Sequence, residues 1–352
     1  MKRLLLTLSL TSLLSTAHAA NRLCVFDMIG NVGEMARASR DFALAMQKAT
    51  GAELQVKVFT DERVAVEDFR TGQCQAVLAT SFRTRAFNPV TATIDAFGAA
   101  LIVRKGKVDM AASHEVMRLA AQALNSPNAQ ALVVQGRYET AAVIDVGAVY
   151  GLFNDRSINS PAALAGKRMI AFDHDRAQTM MILKAGAQPV SADITNFASK
   201  FNNGLADIAA APAVALKPLE LYKGLGTKGG IFRLPYMVVS YQLIIDRARF
   251  PASFAPASRQ YWLDHFDEVL QAVHRAEAEV PAALWMDPPA EQAGQYAAFF
   301  RDTRLTLAEE GYYSKAGLKL MKRIRCKLQS ADAECTMPTE ITWDEPRAPK
   351  SP

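Results

Sequence analysis

Residues 69–79, F-R-T-G-Q-C-Q-A-V-L-A, and residues 201–211, F-N-N-G-L-A-D-I-A-A-A, are two versions of one phrase. Each closes a helix-like run with glycine and passes at once into a short strand of small apolar residues. Gly72 and Gly204 fit the position just past a helix end, where a positive φ is often needed. Outward from the first phrase the pattern is β-α-β-α-β. Arg22 to Asp27 reads as a strand. Glu34 to Thr50 reads as a helix, with Met35, Ala38, Phe42, Ala45 and Met46 on one face and Gly51 closing it. Leu54 to Phe59 is a second strand, Val64, Val66 and Phe69 mark a second helix, and Gln75 to Thr80 is the third strand. Short connections of this kind imply a parallel sheet covered by helices.

The pattern restarts at Ser160-Pro161. Lys167 to Asp173, Gln188 to Val190 and Ala206 to Ala211 read as strands, with helices at Ala177 to Ala185 and Ile194 to Phe201. Between the halves come a strand-like run, Gly98 to Val103, and helical runs near 111–124 and 128–134. Two β-rich stretches, Ala141 to Val149 and Tyr236 to Asp246, are long enough to cross between units. The chain then turns helical at about 256–278, 290–310 and 312–327. The tail after Cys335, rich in proline and charge, reads as poorly ordered.

The amino terminus indicates compartment. Lys2 and Arg3 precede an apolar run from Leu4 to Leu14, and Ala17-His18-Ala19 is a small-x-small cleavage site. This is a secretory signal and is set apart from the fold. Its apolar core is too short to span a bilayer, and no later segment has the roughly 18 apolar residues of a span. Removing Lys2 and Arg3 lowers the formal charge from +5 to +3, too weak for a nucleic-acid partner. Asn-Arg-Leu before Cys24 does not suit lipid attachment. No G-x-S-x-G, H-E-x-x-H or P-loop motif is present, so a hydrolase is the least favoured function class. His265 and His274 read as surface residues of one helix. No cofactor is implied.

These features describe an α/β, two-lobed periplasmic-binding-protein fold. Each lobe is a mostly parallel sheet covered by helices, and helices finish the chain. The divisions expected are 1–19 signal, 20–150 first part of lobe I, 151–238 lobe II, 239–330 return to lobe I with C-terminal helices, and 331–352 tail. L-C-V-F-D-M-I-G-N-V-G (23–33), F-T-D-E-R-V-A-V-E-D-F-R-T-G-Q-C (59–74), R-T-R-A-F-N (83–88) and I-D-A-F-G (94–98) resemble the AdeT-type putative solute-binding proteins. Those are distant relatives of the DctP-like receptors of TRAP transporters. The likeness extends to about Lys327.

That resemblance implies capture of a small polar solute and delivery to membrane transporter subunits. It also carries two departures. Where TRAP receptors have L-K-G-L-K-I-R, whose arginine grips a substrate carboxylate, this chain has L-A-G-K-R-M-I (164–170), with Ile170 in the arginine's place. Where they have G-V-V-D-G-x-E-N-P, it has G-L-A-D-I-A-A-A-P (204–212), with Ala211 for the asparagine. Isoleucine cannot replace a bidentate arginine. Arg168 is two residues away, about 6–7 Å along a strand. An envelope accessory or resistance-linked protein, one that kept the scaffold and lost the solute and has no transport role, is therefore the alternative.

Ligands of open α/β sheets bind beyond the carboxyl ends of the strands. That rule selects Asp27 and Asn31, Asp61 and Arg63, then Thr80, Ser81, Arg83 and Arg85. From the second half it selects Asp173, His174 and Asp175. The block proposed for ligand contact is Asp27, Asn31, Thr80, Ser81, Arg83, Arg85, Asp173 and His174. Structural roles compete: Asp61 fits a helix N-cap, Asp27 fits a loop cap, and only one of Arg83 and Arg85 is expected to face the cleft. Asp173 to Asp175 have metal-ligand chemistry, but neighbours at a strand end point apart, so no metal is expected.

Cys24, Cys74, Cys326 and Cys335 form an even set in an oxidising compartment, and three pairings are possible. In the usual doubly wound order the first and third strands are neighbours with their amino ends together. That predicts Cys24–Cys74, away from the cleft, and Cys326–Cys335 closing a small loop.

Overall fold

The computed structural model describes residues 20–343. The signal expected at 1–19 and residues 344–352 lie outside them. The first unit is β1 (Asn21–Phe26), α1 (Glu34–Thr50), β2 (Leu54–Phe59), α2 (Glu62–Arg70) and β3 (Ala76–Thr80). Helix α3 (Met110–Asn125) leads to the long strand β4 (Tyr138–Phe153). The second unit is β5 (Arg168–Phe172), α4 (Arg176–Lys184), β6 (Gln188–Ala192), α5 (Phe197–Asn202) and β7 (Ile208–Pro212). A second long strand, β8 (Gly230–Asp246), is followed by α6 (Phe254–Asp264), α7 (Phe266–Ala278), α8 (Ala290–Glu309) and α9 (Lys315–Leu328).

One sheet runs through both lobes in the order β2-β1-β3-β8-β4-β7-β5-β6. Within each lobe the short strands are parallel: β1 with β2 and β3 in the first, β5 with β6 and β7 in the second. The long strands β4 and β8 are antiparallel partners that join the lobes. The β8 segment Tyr241–Ile245 pairs with β3, while the β4 segment Val149–Phe153 pairs with β7. Register shifts interrupt the β4–β8 ladder between Phe232 and Met237 and between Val238 and Ser240. Such bulges bend and twist a strand locally. Gly147, at φ +108°, lies in the same crossing region.

Both glycines of the opening phrase behave as expected, with φ of +80° at Gly72 and +71° at Gly204. The cysteines are joined as Cys24–Cys74 and Cys326–Cys335, with Cα separations of 5.9 and 5.5 Å. Buried side chains of β1, β3, α1 and α6 form the first lobe's core, including Phe26, Phe42, Leu78 and Phe254. Phe197, Phe201, Ile170 and Ala209 anchor the second.

Three sequence expectations need correction. Gly98 to Val103 is not a strand. Gly98 has φ +66°, and the run makes buried turns beneath α8, where a Cβ on Gly98 would meet Phe300 at 3.2 Å. A short apolar run does not by itself separate a strand from a buried turn. The helix expected over 256–278 is two helices, broken at His265, whose ring stacks on Tyr261 at 4.0 Å. The tail is ordered to residue 343. Glu340 is 2% exposed and accepts from Arg304 Nε at 2.8 Å, while its second oxygen lies 3.3 Å from Arg325 Nη2. Two buried arginines need counter-charge, and the tail supplies it.

Candidate functional site

The carboxyl ends of four strands converge on one cavity of about 200 Å³. Phe26 and Asp27 come from β1, Thr80 from β3, Phe172 from β5 and Pro212 from β7. The crossing strands add Val146, Val149, Val239 and Tyr241, and α7 adds Val269 and Val273. The cavity therefore lies between the lobes and is built by both. A recess of about 310 Å³ beside Arg304 and Arg325 is larger but stands apart from the strand ends. Its arginines are already paired with Glu334 and Glu340.

Asp27 and Thr80 are the two predicted residues that line the cavity. The Asp27 carboxylate is held by the backbone. Oδ1 accepts from Ile29 N at 3.1 Å and Oδ2 from Ala36 N at 3.0 Å. Gly33 makes this possible, because a Cβ there would lie 1.9 Å from Oδ2. The loop-cap role weighed for Asp27 thus coexists with its place in the wall. Thr80 donates to Glu62 Oε1 through both its backbone N and its hydroxyl, each at 2.6 Å. Glu62 is buried, and burial pushes its carboxyl up to about 7 against those hydrogen bonds. Its other oxygen stands 3.6 Å from Arg83 Nε.

The remaining predicted residues line other surroundings. Asn31 is exposed, and its side-chain oxygen accepts from Arg40 at 2.9 Å. Ser81 is buried at the start of a short helix, Ser81–Thr84. Arg83 turns to Glu62. Arg85 turns away to the C-terminal helices, its guanidinium 4.9 Å from the rings of both Tyr312 and Tyr313. Asp173 is exposed and accepts from the Ser191 hydroxyl. His174 lies flat against Phe172, with ring centroids 5.8 Å apart. Burial, with Arg83 nearby, pulls its imidazole down to about 4, so it is neutral at pH 7. Asp61 caps α2 by accepting from Arg63 N at 2.9 Å, and Asp175 caps α4 by accepting from Ala177 N at 2.9 Å.

The strand ends selected by the sequence rule do line a cavity, but with less polarity than the rule implied. Phe82, Phe172, Phe197 and Tyr241 form much of the wall, and among the described residues no lysine, arginine or histidine lines it. Aromatic residues at strand ends read as core in sequence, so nothing marked them. Glu62 was hidden because it follows the N-cap Asp61 and looked like first-turn charge. Ile170 is buried in the second lobe's core, and Ala211 lines the cavity.

No metal or dinucleotide site is apparent among the described residues. Cys24, Cys74 and Asp68 lie close together, but the two sulfurs are bonded to one another. G-L-G-T-K-G at 224–229 has the spacing of a dinucleotide-binding loop. It runs from a helical turn into β8, the reverse of the strand-to-helix context that binds pyrophosphate. A Cβ at Gly224 would meet the Phe201 ring at 2.3 Å, which gives that glycine a packing role.

Two α/β lobes on a shared sheet, with a cavity at the strand ends between them, define a solute-binding-protein architecture. Residues 17–340 match the family described as "Solute-binding protein AdeT 1/2", and the chain belongs to that family. It is 37% identical to the "Probable solute-binding protein AdeT1" of Acinetobacter baumannii over 316 residues, 90% of this chain and all of the relative. With the "Probable solute-binding protein AdeT2" of the same organism it shares 27% identity over 216 residues, 61% of this chain and 91% of that one. Among solved structures, a TRAP periplasmic solute-binding protein from Desulfovibrio salexigens with bound orotic acid superposes with TM-score 0.70 at 13% identity, covering 88% of this chain and 99% of that one. The periplasmic ectoine-binding protein of the TeaABC TRAP transporter of Halomonas elongata gives 0.68 at 12%, covering 89% and 100%. At these identities the structures establish the fold.

Proposed function

We propose that the protein is a periplasmic receptor that takes a small solute into the interlobe cavity and hands it to a TRAP-like membrane transporter. The observation that carries this reading is the joint construction of the cavity by the strand ends of both lobes. The bulged segments of β4 and β8 form the hinge, and the lobes close on the solute by bending there. Asp27 and Thr80 contact the solute from the first lobe; Phe172 and Ala211 contact it from the second. The protein is not an enzyme in this reading. The export signal supports the periplasmic location, and among the described residues no helix is long and apolar enough to cross a membrane. The structure with bound orotic acid and that of the ectoine-binding protein support the receptor role by fold alone.

The test is a thermal-shift screen of the mature protein against amines, amino acids, organic acids, sugars acids and polyamines, followed by small-angle scattering. A binding solute raises the melting temperature by mass action and compacts the particle. If no compound shifts the transition and the scattering profile never changes, the receptor reading fails. The accessory-protein reading, which the loss of the family arginine at Ile170 favours, would then stand. Pull-down of a partner from envelope extract would support it.

A further inference from the structure

Resting on the receptor reading, we infer that the cavity takes a compact, largely apolar amine and rejects carboxylates. Its walls are aromatic and aliphatic, with Phe82 of the first lobe and Phe172 of the second 6.3 Å apart, edge to face. The ionisable groups that line it are acids and a tyrosine: Asp27, Glu34, Glu62 and Tyr241. The arginines next to this lining are already paired or stacked: Arg83 faces Glu62, Arg37 reaches Glu34 at 2.9 Å with Arg275 at 3.9 Å, and Arg85 lies between two tyrosine rings.

A carboxylate entering this cavity leaves water for an apolar wall with no counter-charge. The effective penalty for an unpaired buried ion is several kcal/mol. An ammonium group has the opposite fate. It meets Glu62, whose Oε1 is already fixed by Thr80 and whose Oε2 lies at ion-pair rather than hydrogen-bond distance from Arg83. The aromatic wall of Phe82, Phe172, Phe197 and Tyr241 offers further attraction to a cation. The apolar body of the solute then covers the rest of the wall. The volume of about 200 Å³ suits a single small ring with a short arm, because drug-sized ligands occupy pockets of roughly 300–1,000 Å³.

The experiment is calorimetric titration of the mature, full chain with three probes of one shape: phenethylamine, 2-phenylethanol and 3-phenylpropionate. The amine is expected to bind at least ~30-fold tighter than the acid, about 2 kcal/mol. Glu62→Gln, which keeps the acceptor for Thr80, should weaken the amine about tenfold and leave the alcohol unchanged. Equal or tighter binding of the acid overturns the inference, as does an amine affinity that ignores Glu62→Gln. If all three probes fail while succinate or galacturonate binds, the amine inference falls and the receptor reading stands. If the probes and the whole solute panel fail, the receptor reading itself falls.

Discussion

Arg168 grips Asp207 through three hydrogen bonds. Its backbone N and Nε reach Oδ2 at 3.0 and 3.1 Å, and Nη2 reaches Oδ1 at 2.7 Å. The pair sits at the amino end of β5, the end opposite the cavity. The arginine two residues before Ile170 therefore ties β5 to the entrance of β7. The Arg168 hydrogen bond holds the Asp207 carboxyl down at about 2. A depressed carboxyl stabilises the fold above its unfolded value, and the contribution is lost as pH falls from about 4 to about 2. Asp207→Asn should lower stability at pH 7 by roughly 1–2 kcal/mol, since Arg168 is partly exposed, and leave solute affinity intact. Denaturant unfolding at pH 7 and pH 3 checks both, and a large loss of affinity would contradict this placement.

Burial sets the opposite pH trend at two other carboxyls. Glu62 and Asp95 are each pushed up to about 7 by desolvation. Asp95 is held by Ser240, whose N lies at 2.5 Å and hydroxyl at 2.8 Å. Groups raised in the folded state bind protons more tightly there, so stability falls as pH rises from about 4 to about 7. Roughly 1–3 kcal/mol per group is at stake. Glu62→Gln and Asp95→Asn should flatten this part of the profile, measured by urea midpoints at pH 5 and pH 7.5. A wild-type profile that is flat or rises across that range would refute it.

The two disulfides close loops of very different length. Fifty residues separate Cys24 from Cys74, and nine separate Cys326 from Cys335. Chain-entropy estimates give about 4 and about 3 kcal/mol. Replacing Cys24 and Cys74 by alanine should cost more than replacing the second pair, which calorimetric melting compares directly. Peptide mapping without reduction should recover these two pairings and no other.

The tail matters through two acids, Glu334 and Glu340. Glu340→Gln leaves Arg304 and Arg325 sharing Glu334, and removal of one partner from a buried ion network costs about 3–5 kcal/mol. Truncation at residue 331 should be worse, because it removes both acids. A truncated protein with unchanged melting temperature would show that the arginines find other partners.

Much of the fold was legible because it rests on local signals. Gly72 and Gly204 mark helix ends that only one backbone conformation satisfies. The parallel units followed from alternating periods, and the Cys24–Cys74 bond followed from strand order. The antiparallel pairing of β4 with β8 was less visible, because both strands are buried almost throughout and show no alternation of apolar and polar residues to mark a register. The site was half legible. The rule of strand ends placed Asp27 and Thr80, but it could not tell which charges were already spent. Arg83 and Arg85 look equally available in sequence. Only packing shows one against Glu62 and the other against Tyr312 and Tyr313. The tail was misread because composition suggested disorder, whereas Arg304 and Arg325, buried on the two last long helices, required its acids.

Gly147 offers a last prediction. A Cβ there would meet Val273 Cγ1 at 2.8 Å, and its φ of +108° strains any other residue. Gly147→Ala should cost about 1–3 kcal/mol and shift the scattering profile of the solute-free protein. Unchanged stability and shape would place the flexing elsewhere.

Because β4 and β8 are shared by both lobes, the joint between them is a ribbon and not a pair of loose tethers. Opening such a ribbon stores elastic energy in its twist, as a leaf spring does. In the proposed receptor, part of the solute's grip is used to flex that spring. Affinity can then be retuned from the bulges at Phe232 to Ser240 without touching a single residue of the wall, and relatives with one cavity can differ in hold through the stiffness of their sheet.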